Sequence, residues 1–158
     1  MKQIQLTQGQ FALVDDCDHE YLSQFKWCAA KYRGKFYAVR GRPSVRMHRV
    51  VAERAGMKIE DLEVDHDDHN GLNNVRSNLR PATTSQNQWN RALQKDNTSG
   101  FKGVCWHQRS RKWQARIRVN GKLVYLGYHD DKIDAARAYN EAAIKYFGEF
   151  AYLNEVPS

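Results

Sequence analysis

A short polar stretch in the middle of the chain carries side chains that could activate a water molecule beside a metal ion. Asp65 and His66 are adjacent, and Asn78 and Asn87 follow them. Carboxylate and amide oxygens are ligands that Mg²⁺ prefers, and the protein often supplies only one or two of them. A neutral histidine beside the ion could take a proton from water near neutral pH. This arrangement predicts metal-assisted hydrolysis, with Asp65 and Asn87 as ligands and His66 as the base.

The same stretch has a simpler interpretation as a solvated acidic loop. Residues 60–68 include six carboxylates in a basic protein. Such carboxylates repel one another unless a cation or a basic side chain compensates. For any single one of them solvation is the ordinary expectation, and a histidine that follows an aspartate is more often structural than catalytic. Only the wider pattern of residues around this stretch can decide between a solvated loop and a metal site.

A strand, a long loop, a short strand and a helix must position these side chains. The sequence predicts a strand over 62–66, a polar loop, a short strand at 79–80 and a helix over 83–93. Upstream it predicts strands over 10–14, 25–30 and 36–40, with a helix over 44–55 that Ser44 caps and Gly56 ends.

The spacing V-D-H-x(5)-L-N-N-x-x-S-N-L-R-x-x-T-x-x-x-N, which begins at Val64, resembles the HNH homing endonucleases of the His-Me finger superfamily. The resemblance implies a ββα-metal finger around one divalent ion, Mg²⁺ or Mn²⁺. It implies that His66 is the general base, that Asp65 and Asn87 bind the metal, and that Asn78 braces the loop. The segment around His48 and Arg49 resembles the family too, and we expect these residues to serve as scaffold or phosphate contacts. Arg76 is a further possible phosphate contact.

The C-terminal part of the chain combines a strand pattern with a segregated positive charge. Residues 101–125 contain seven Lys and Arg and no Asp or Glu. Strands are predicted over 102–107, 113–119 and 122–128, with a hairpin turn at Asn120-Gly121 and a helix over 132–147. Alternation places Trp113, Ala115, Ile117 and Val119 on an apolar face that the helix covers. The opposite, basic face is left for a nucleic acid or for solvent.

Residues 97–154 resemble the DNA-binding domain of the plant ethylene-response factors, of the APETALA type. Gly103-Val104, Tyr125-Leu126-Gly127 and the alanine-rich helix carry the resemblance. It implies that the three-stranded sheet binds the major groove of DNA. The positions predicted to contact DNA are Lys102, His107, Arg109, Arg111, Arg116, Arg118, Lys122 and Tyr125. Cys105 and His107 replace arginines of the family, so the plant target sequence does not carry over.

The length of the chain fits one ordinary domain or two small ones, and its composition is that of a globular protein. The chain has 158 residues, a net charge of +7, 41% hydrophobic residues and 27% charged residues, which excludes a disordered protein. No apolar run is long enough for a transmembrane helix, and three scattered cysteines do not make a disulfide framework. We predict an α+β protein with a nuclease domain over 1–93, a linker over 94–100 and a DNA-binding domain over 101–158.

Together the two resemblances imply a metal-dependent DNA endonuclease that the C-terminal sheet directs to its site. The partner is double-stranded DNA, the protein is a monomer or a weak dimer without membrane association, and its location is the cytoplasm of a bacterial or phage-infected cell. Two alternatives remain open. The chain could be a non-catalytic DNA-binding regulator with a degenerate nuclease fold, or an RNA-binding module. Cleavage of one strand or of both is equally compatible with the sequence.

Overall fold

The computed structural model describes residues 1–91, 93 and 96–157, and its contacts divide the chain into two compact units, Met1–Asn87 and Gln88–Ser158. The predicted α+β class is confirmed, and each unit has buried apolar clusters of its own. Within the described residues no helix is long and apolar enough to cross a membrane.

The first unit consists of small antiparallel sheets and short helices. Its elements are β1 (Lys2–Gln5), β2 (Phe11–Val14), α1 (Asp16–Ser23), β3 (Cys28–Tyr32), β4 (Lys35–Arg40), β5 (Val45–Arg46), α2 (Met47–Arg54), β6 (Glu63–His66), β7 (Leu79–Ala82) and α3 (Thr84–Trp89), the last of which continues past the unit boundary. The strands pair as β1–β2, β3–β4–β5 and β6–β7. The order β6, loop, β7, α3 is the strand–strand–helix arrangement that the sequence predicts.

The core of the first unit forms where the apolar faces of these elements meet. Leu22, Met47 and Val51 are fully buried, and Trp27 donates its indole N–H to the carbonyl of Leu22 at 2.9 Å. The tight connection between β3 and β4 places Arg33 and Gly34 at φ of 50° and 85°. Such a two-residue turn matches the twist of the strands it joins.

Two predicted helices of this unit have different limits in the structure. The helix predicted over 44–55 begins only at Met47, because Val45 and Arg46 pair with Arg40 and Val39 of β4. The sequence pattern could not separate this short strand from the helix that follows it. The helix predicted over 83–93 ends at Trp89, and its predicted end includes Ala92, which lies outside the described residues.

The second unit is a three-stranded antiparallel sheet packed on one helix, as predicted. Its elements are β8 (Val104–His107), β9 (Lys112–Val119), β10 (Lys122–His129) and α4 (Lys132–Phe147), with β9 in the centre of the sheet. Ala135, Ala136 and Ala143 are fully buried, so the helix lies close to the sheet. Gly103 has a φ of 75°, and a Cβ there would overlap the ring of Tyr139 and the carbonyl oxygen of Arg116. Only glycine fits this close approach of the chain to the sheet and helix.

The segment predicted as a linker contains residues that belong to the second unit. Ser99 is buried and donates its hydroxyl to the carbonyl of Val104 at 2.8 Å. Trp89, from the predicted nuclease domain, stacks on Phe147 with ring centroids 4.5 Å apart. The unit boundary therefore lies between Asn87 and Gln88, upstream of the predicted linker. Gln94 and Lys95 of that linker lie outside the described residues.

Candidate functional site

Asp65 lies on β6, opposite Arg80 of β7. The guanidinium of Arg80 donates from Nε and Nη2 to Oδ2 of Asp65 at 3.2 and 3.0 Å, and Nη1 lies 2.7 Å from Oδ1 of Asp67. Asp65 has only 6% of its surface exposed. A basic side chain thus compensates part of the acidic stretch. No local sequence pattern indicates this pairing, because a long loop separates Arg80 from Asp65.

His66 is also buried, with 6% of its surface exposed. Its Nε2 lies 3.4 Å from Oδ1 of Asn74, and its ring centroid lies 4.9 Å from that of His48 and 6.0 Å from that of Tyr37. Burial lowers the pKa of His66 below its ordinary value. The imidazole is therefore neutral near pH 7, the protonation state that can accept a proton.

His48 and Arg49 both lie in the scaffold behind this histidine. His48 is buried, and burial lowers its pKa to about 3, so its ring stays neutral. Arg49 donates from Nη1 to the carbonyl of Leu62 at 3.0 Å and from Nη2 to that of Ile59 at 3.1 Å. Of the two roles that the sequence left open for these residues, their positions favour scaffold over phosphate contact.

Asn78 ties the loop between β6 and β7 together. Its Nδ2 donates to Oδ1 of Asp68 at 2.9 Å and to the carbonyl of Asn73 at 2.8 Å, while its Oδ1 accepts from the backbone N–H of Asp68 at 3.0 Å. Burial alone would raise the pKa of Asp68, but hydrogen bonds from Asn73, Asn70 and Asn78 hold it below its ordinary value. The loop is thus held by its own polar side chains.

Asn87 reaches the same strand from α3. Its Nδ2 donates to Oε2 of Glu63, and Thr84 donates its hydroxyl to Oε1 of Glu63 at 3.1 Å. Glu63 and Asp65 are two residues apart on β6 and therefore share a face of the strand. Glu63 is a residue that the sequence interpretation left without a role, although its spacing of two from Asp65 could have indicated the shared face.

Arg76 was predicted as a phosphate contact, but the structure commits its guanidinium elsewhere. Its Nε and Nη2 donate to the two carboxylate oxygens of Asp18 at 2.7 and 2.9 Å. Arg54 donates to the same carboxylate at 2.9 Å, and Asp18 is fully buried. Arg76 thus holds α1 against the loop before β7, and its contact with a phosphate stays a prediction that this ion pair disfavours.

The basic face of the C-terminal sheet consists of side chains that point away from α4. Arg116 lies opposite Tyr125 and Arg118 opposite Leu123, and both arginines are exposed. A bulge between Tyr125 and Gly127 shifts the register, so Tyr128 lies opposite Gln114. Nε2 of Gln114 donates a hydrogen bond to the hydroxyl oxygen of Tyr128 at 2.9 Å. Tyr125 and Tyr128 have 65% and 48% of their surface exposed. Strict alternation would put Tyr128 on the other face, so the sequence interpretation missed it.

The remaining predicted contacts fall into three groups. His107 lies on the basic face with its ring 5.0 Å from that of Tyr128, and Arg109 and Arg111 are exposed in the turn between β8 and β9. Lys122 lies opposite Val119 and so alternates onto the side that faces α4. Lys102 is turned inward.

The ammonium group of Lys102 is bound to backbone carbonyls rather than presented on the sheet. Its Nζ lies 2.6 Å from the carbonyl oxygen of Trp89 and 2.8 Å from that of Arg91. Burial lowers its pKa to about 8. The position of Lys102 therefore disfavours its predicted contact with DNA, because its ammonium group already meets the end of α3.

Comparison with known proteins agrees with both halves of this description. The sequence model of the HNH endonuclease family matches residues 45–89. An uncharacterized HNH endonuclease of Acanthamoeba polyphaga mimivirus is 33% identical over 150 residues, which cover 94% of this chain and 76% of that protein. Protein 3.8 of Escherichia phage T7 is 38% identical over 78 residues, 49% of this chain and 64% of that protein.

The C-terminal half has relatives of a different kind. APETALA2-like protein 2 of Oryza sativa subsp. indica is 44% identical over 57 residues, which cover 36% of this chain and 13% of that much longer protein. The chain thus spans less than two thirds of the phage and rice proteins. Both resemblances that the sequence motifs indicate are confirmed.

Proposed function

The chain belongs to the HNH endonuclease family, and from that premise we propose that it hydrolyses phosphodiester bonds of double-stranded DNA with one divalent metal ion, Mg²⁺ or Mn²⁺. His66 is the general base, and Asp65 and Asn87 are the metal ligands. The observation that carries the proposal is the arrangement of Asp65, His66 and Asn87 on the strands and helix of one hairpin–helix unit.

His66 is held in an orientation suited to proton transfer. With its Nε2–H donated to Oδ1 of Asn74, the lone pair that accepts a proton lies on Nδ1. Asn74 is itself fixed, because it is buried and donates its Nδ2 to the carbonyl of Leu72 at 3.1 Å. Asn78 supports the histidine indirectly by bracing the loop that contains Asn74.

The residues present fit a hard divalent cation, which HNH nucleases generally use. The hydrogen bond from Nδ2 of Asn87 to Glu63 fixes the amide so that its other end, Oδ1, is the ligand atom. The carboxylate of Asp65 supplies a second oxygen of the type that Mg²⁺ prefers. The proposed site is thus a mixed carboxylate–amide one, with one ligand from β6 and one from α3. When bound, the ion would stabilise negative charge on the phosphate.

The basic face of the C-terminal sheet supplies DNA binding in this proposal. Arg116 and Arg118 are exposed on a strand without acids, and Tyr125 stands beside Arg116. Arginines on a sheet of this size can contact phosphates or guanine edges in a major groove. The sheet thereby holds and selects the site, while the first unit cuts.

The proposal predicts that the protein converts supercoiled plasmid to nicked or linear DNA only when Mg²⁺ or Mn²⁺ is present. Asp65→Ala and Asn87→Ala should each reduce the rate by roughly 10²-fold or more, since even outer-shell residues of metal sites cost 10–100-fold. Raised Mg²⁺ should partly restore Asn87→Ala. The measurement is the initial rate of plasmid conversion across a Mg²⁺ titration.

Matched controls for the two ligands lie close in sequence. Asp61→Ala removes an exposed acid upstream of β6, and Gln88→Ala removes an exposed amide next to Asn87. Both should cut at the wild-type rate. If the wild-type protein binds DNA but never cuts it with any divalent ion, the chain is a non-catalytic DNA-binding protein and the proposed hydrolysis is wrong.

A second prediction concerns the basic face of the C-terminal sheet. Arg116→Ala and Arg118→Ala should each weaken DNA binding and leave cleavage at saturating DNA unchanged. Loss of a phosphate contact should flatten the log–log salt dependence by roughly one unit, whereas loss of a base contact should cost about 1–3 kcal/mol of discrimination. The measurement is titration of labelled duplexes at several salt concentrations.

Arg137→Ala is the control for this experiment. Arg137 lies on α4, behind the sheet, and bonds the carboxylate of Asp134 at 3.2 Å and the carbonyl of Pro157 at 2.9 Å. Its removal should change DNA binding little. An effect of Arg137→Ala as large as that of the two sheet arginines would mean that the binding face is on the other side of the unit.

A further inference from the structure

The first unit also contains an acid-free basic stretch, comparable in length to the one in the C-terminal sheet. Residues 21–52 carry eight Lys and Arg and no Asp or Glu. Much of this charge lies on β3, β4 and β5, which form one antiparallel sheet. A second cluster of positive charge therefore lies in the first unit, which also contains His66.

The strand register sorts the side chains of this sheet onto two faces. Ala29 lies opposite Ala38, and Lys31 lies opposite Phe36, on the face that packs on the core. Arg40 shares that inner face, with its guanidinium carbon 3.6 Å from the centre of the Phe25 ring. The paired residues between them must point outward.

Two cations and two tyrosines on the outward face make up what we call the N-terminal basic face. Tyr32 lies opposite Lys35, Tyr37 lies between Lys35 and Val39 on β4, and Arg46 lies opposite Val39. Tyr32 has 54% of its surface exposed, and Arg46 is exposed as well. The face thus combines two cations with two aromatic rings, a combination suited to a nucleic acid backbone.

This face adjoins His66. The ring of Tyr37 lies 6.0 Å from that of His66, and the guanidinium carbon of Arg46 lies 5.9 Å from the ring of Tyr37. Lys35 lies two positions before Tyr37 on β4 and therefore shares its face of the strand. Gly71 of the β6–β7 loop fits against Tyr37, since a Cβ there would overlap the ring.

The two cations of the face differ in their ion pairing from three arginines of the same unit. Arg54, Arg76 and Arg80 each form an ion pair with a carboxylate. Within residues 1–91, 93 and 96–157, by contrast, Lys35 and Arg46 form no ion pair. Unpaired cations on an exposed sheet face indicate a negatively charged partner from outside the chain.

We propose that the N-terminal basic face is a second DNA-binding surface, on which Lys35 and Arg46 contact duplex phosphates and guide the strand to His66. The inference rests on the proposed nuclease function for its choice of DNA over other polyanions. In this arrangement Lys35 and Arg46 are positioning residues, and the tyrosines line the path between them.

The test measures DNA affinity of the full chain in EDTA, so that binding is separated from cleavage. Lys35→Ala/Arg46→Ala should flatten the log–log salt dependence of binding by about 2, one unit for each lost phosphate contact. Equivalently, the ratio of wild-type to variant affinity should fall about tenfold between 50 and 200 mM salt. The charge-retaining pair Lys35→Arg/Arg46→Lys should keep the wild-type slope.

The control removes the same net charge elsewhere in the unit. Lys2→Ala/Lys58→Ala deletes two exposed lysines that lie off this face, and its slope should match that of the wild type. An unchanged slope for Lys35→Ala/Arg46→Ala, or an equal change in the control, would overturn the proposal. So would a slope change with single-stranded RNA that is absent with duplex DNA.

The two proposals fail in different ways. A wild-type protein that never cuts, but whose DNA binding depends on Lys35 and Arg46, would disprove the nuclease function and keep the surface. A protein that cuts with Mg²⁺ at a rate and an affinity indifferent to both residues would keep the nuclease function and disprove the surface.

Discussion

Replacing His66 with alanine should lower the rate of metal-dependent DNA cleavage by roughly 10²- to 10⁴-fold, the usual contribution of a general base. DNA affinity should stay close to that of the wild type. The physical reason is that His66 is almost completely buried and bonds Asn74 rather than presenting a charge to the substrate. The measurement compares plasmid conversion at saturating DNA with affinity in EDTA.

Asn74→Ala provides a graded companion to that experiment. It leaves the imidazole in place but removes the oxygen that lies 3.4 Å from its Nε2. The rate should fall less than in His66→Ala, because the base is still present but its tautomer and orientation are no longer fixed. Affinity in EDTA should again be unchanged.

His19→Ala is the matched histidine control. His19 lies on α1, where a ring nitrogen is 3.4 Å from the hydroxyl of Ser23. The His19→Ala variant should cut DNA at the wild-type rate. If His66→Ala loses binding and cutting to the same extent, then His66 supports substrate binding or folding and is not the base.

Local patterns in the sequence were enough to predict the strand–loop–strand–helix order around Asp65 and His66. The alternation in β9 and the alanine-rich face of α4 likewise predicted the second unit correctly. These features depend on periods of two and of about 3.6 residues, which a sequence displays directly. Alternation also predicted the exposure of Arg116 and Arg118, since no irregularity interrupts β9.

Partners distant in the chain could not be predicted in the same way. Arg76 carries the same charge whether it meets a phosphate or Asp18, and 58 positions separate it from that carboxylate. Lys102 likewise belongs, by its position in the sequence, to the basic residues of the sheet. Only the structure shows that its ammonium group bonds the carbonyl of Trp89 at the end of α3. Tertiary contacts are therefore needed to tell which basic residues near a predicted DNA site are bound within the protein and which are available to DNA.

Two further features depend on geometry that alternation hides. A single extra residue in β10 brings Tyr128 onto the basic face, and β5 is only two residues long before α2 begins. The acid-free stretch 21–52 was visible in the sequence, but its significance came from the register. That register collects Lys35 and Arg46 on one face beside Tyr37.

The largest expected effect on stability comes from Asp18→Ala. Asp18 is fully buried and accepts hydrogen bonds from Arg76 and Arg54, whose side chains are 36% and 34% exposed. Removing one partner of a buried ionic network costs about 3–5 kcal/mol, and the exposure of the two arginines favours the lower end of that range. Since small domains are stable by only about 5–15 kcal/mol, the first unit should unfold at a much lower urea concentration.

The pH dependence of stability gives this prediction a second, independent readout. Hydrogen bonds from Arg76, and then from Arg54, hold the pKa of Asp18 below its ordinary value of 3.8. A carboxylate whose pKa is lowered on folding stabilises the protein above the ordinary value, and this stabilisation is lost as the pH falls through the lowered pKa. Asp18→Asn should therefore be less stable than the wild type at pH 7, and the difference should shrink below about pH 4.

Asp61→Ala separates the effect of Asp18 from that of removing any acid from the first unit. Asp61 is exposed, so its removal should change the free energy of unfolding by less than about 0.5 kcal/mol at pH 7. Urea titrations of the three variants in a Trp89→Phe/Trp106→Phe/Trp113→Phe background, followed by the fluorescence of the buried Trp27, measure the unfolding of the first unit. If Asp18→Ala unfolds at the same urea concentration as Asp61→Ala and the wild type, Asp18 does not hold Arg54 and Arg76 in solution. Arg76 would then be available to contact a phosphate, as the sequence predicts.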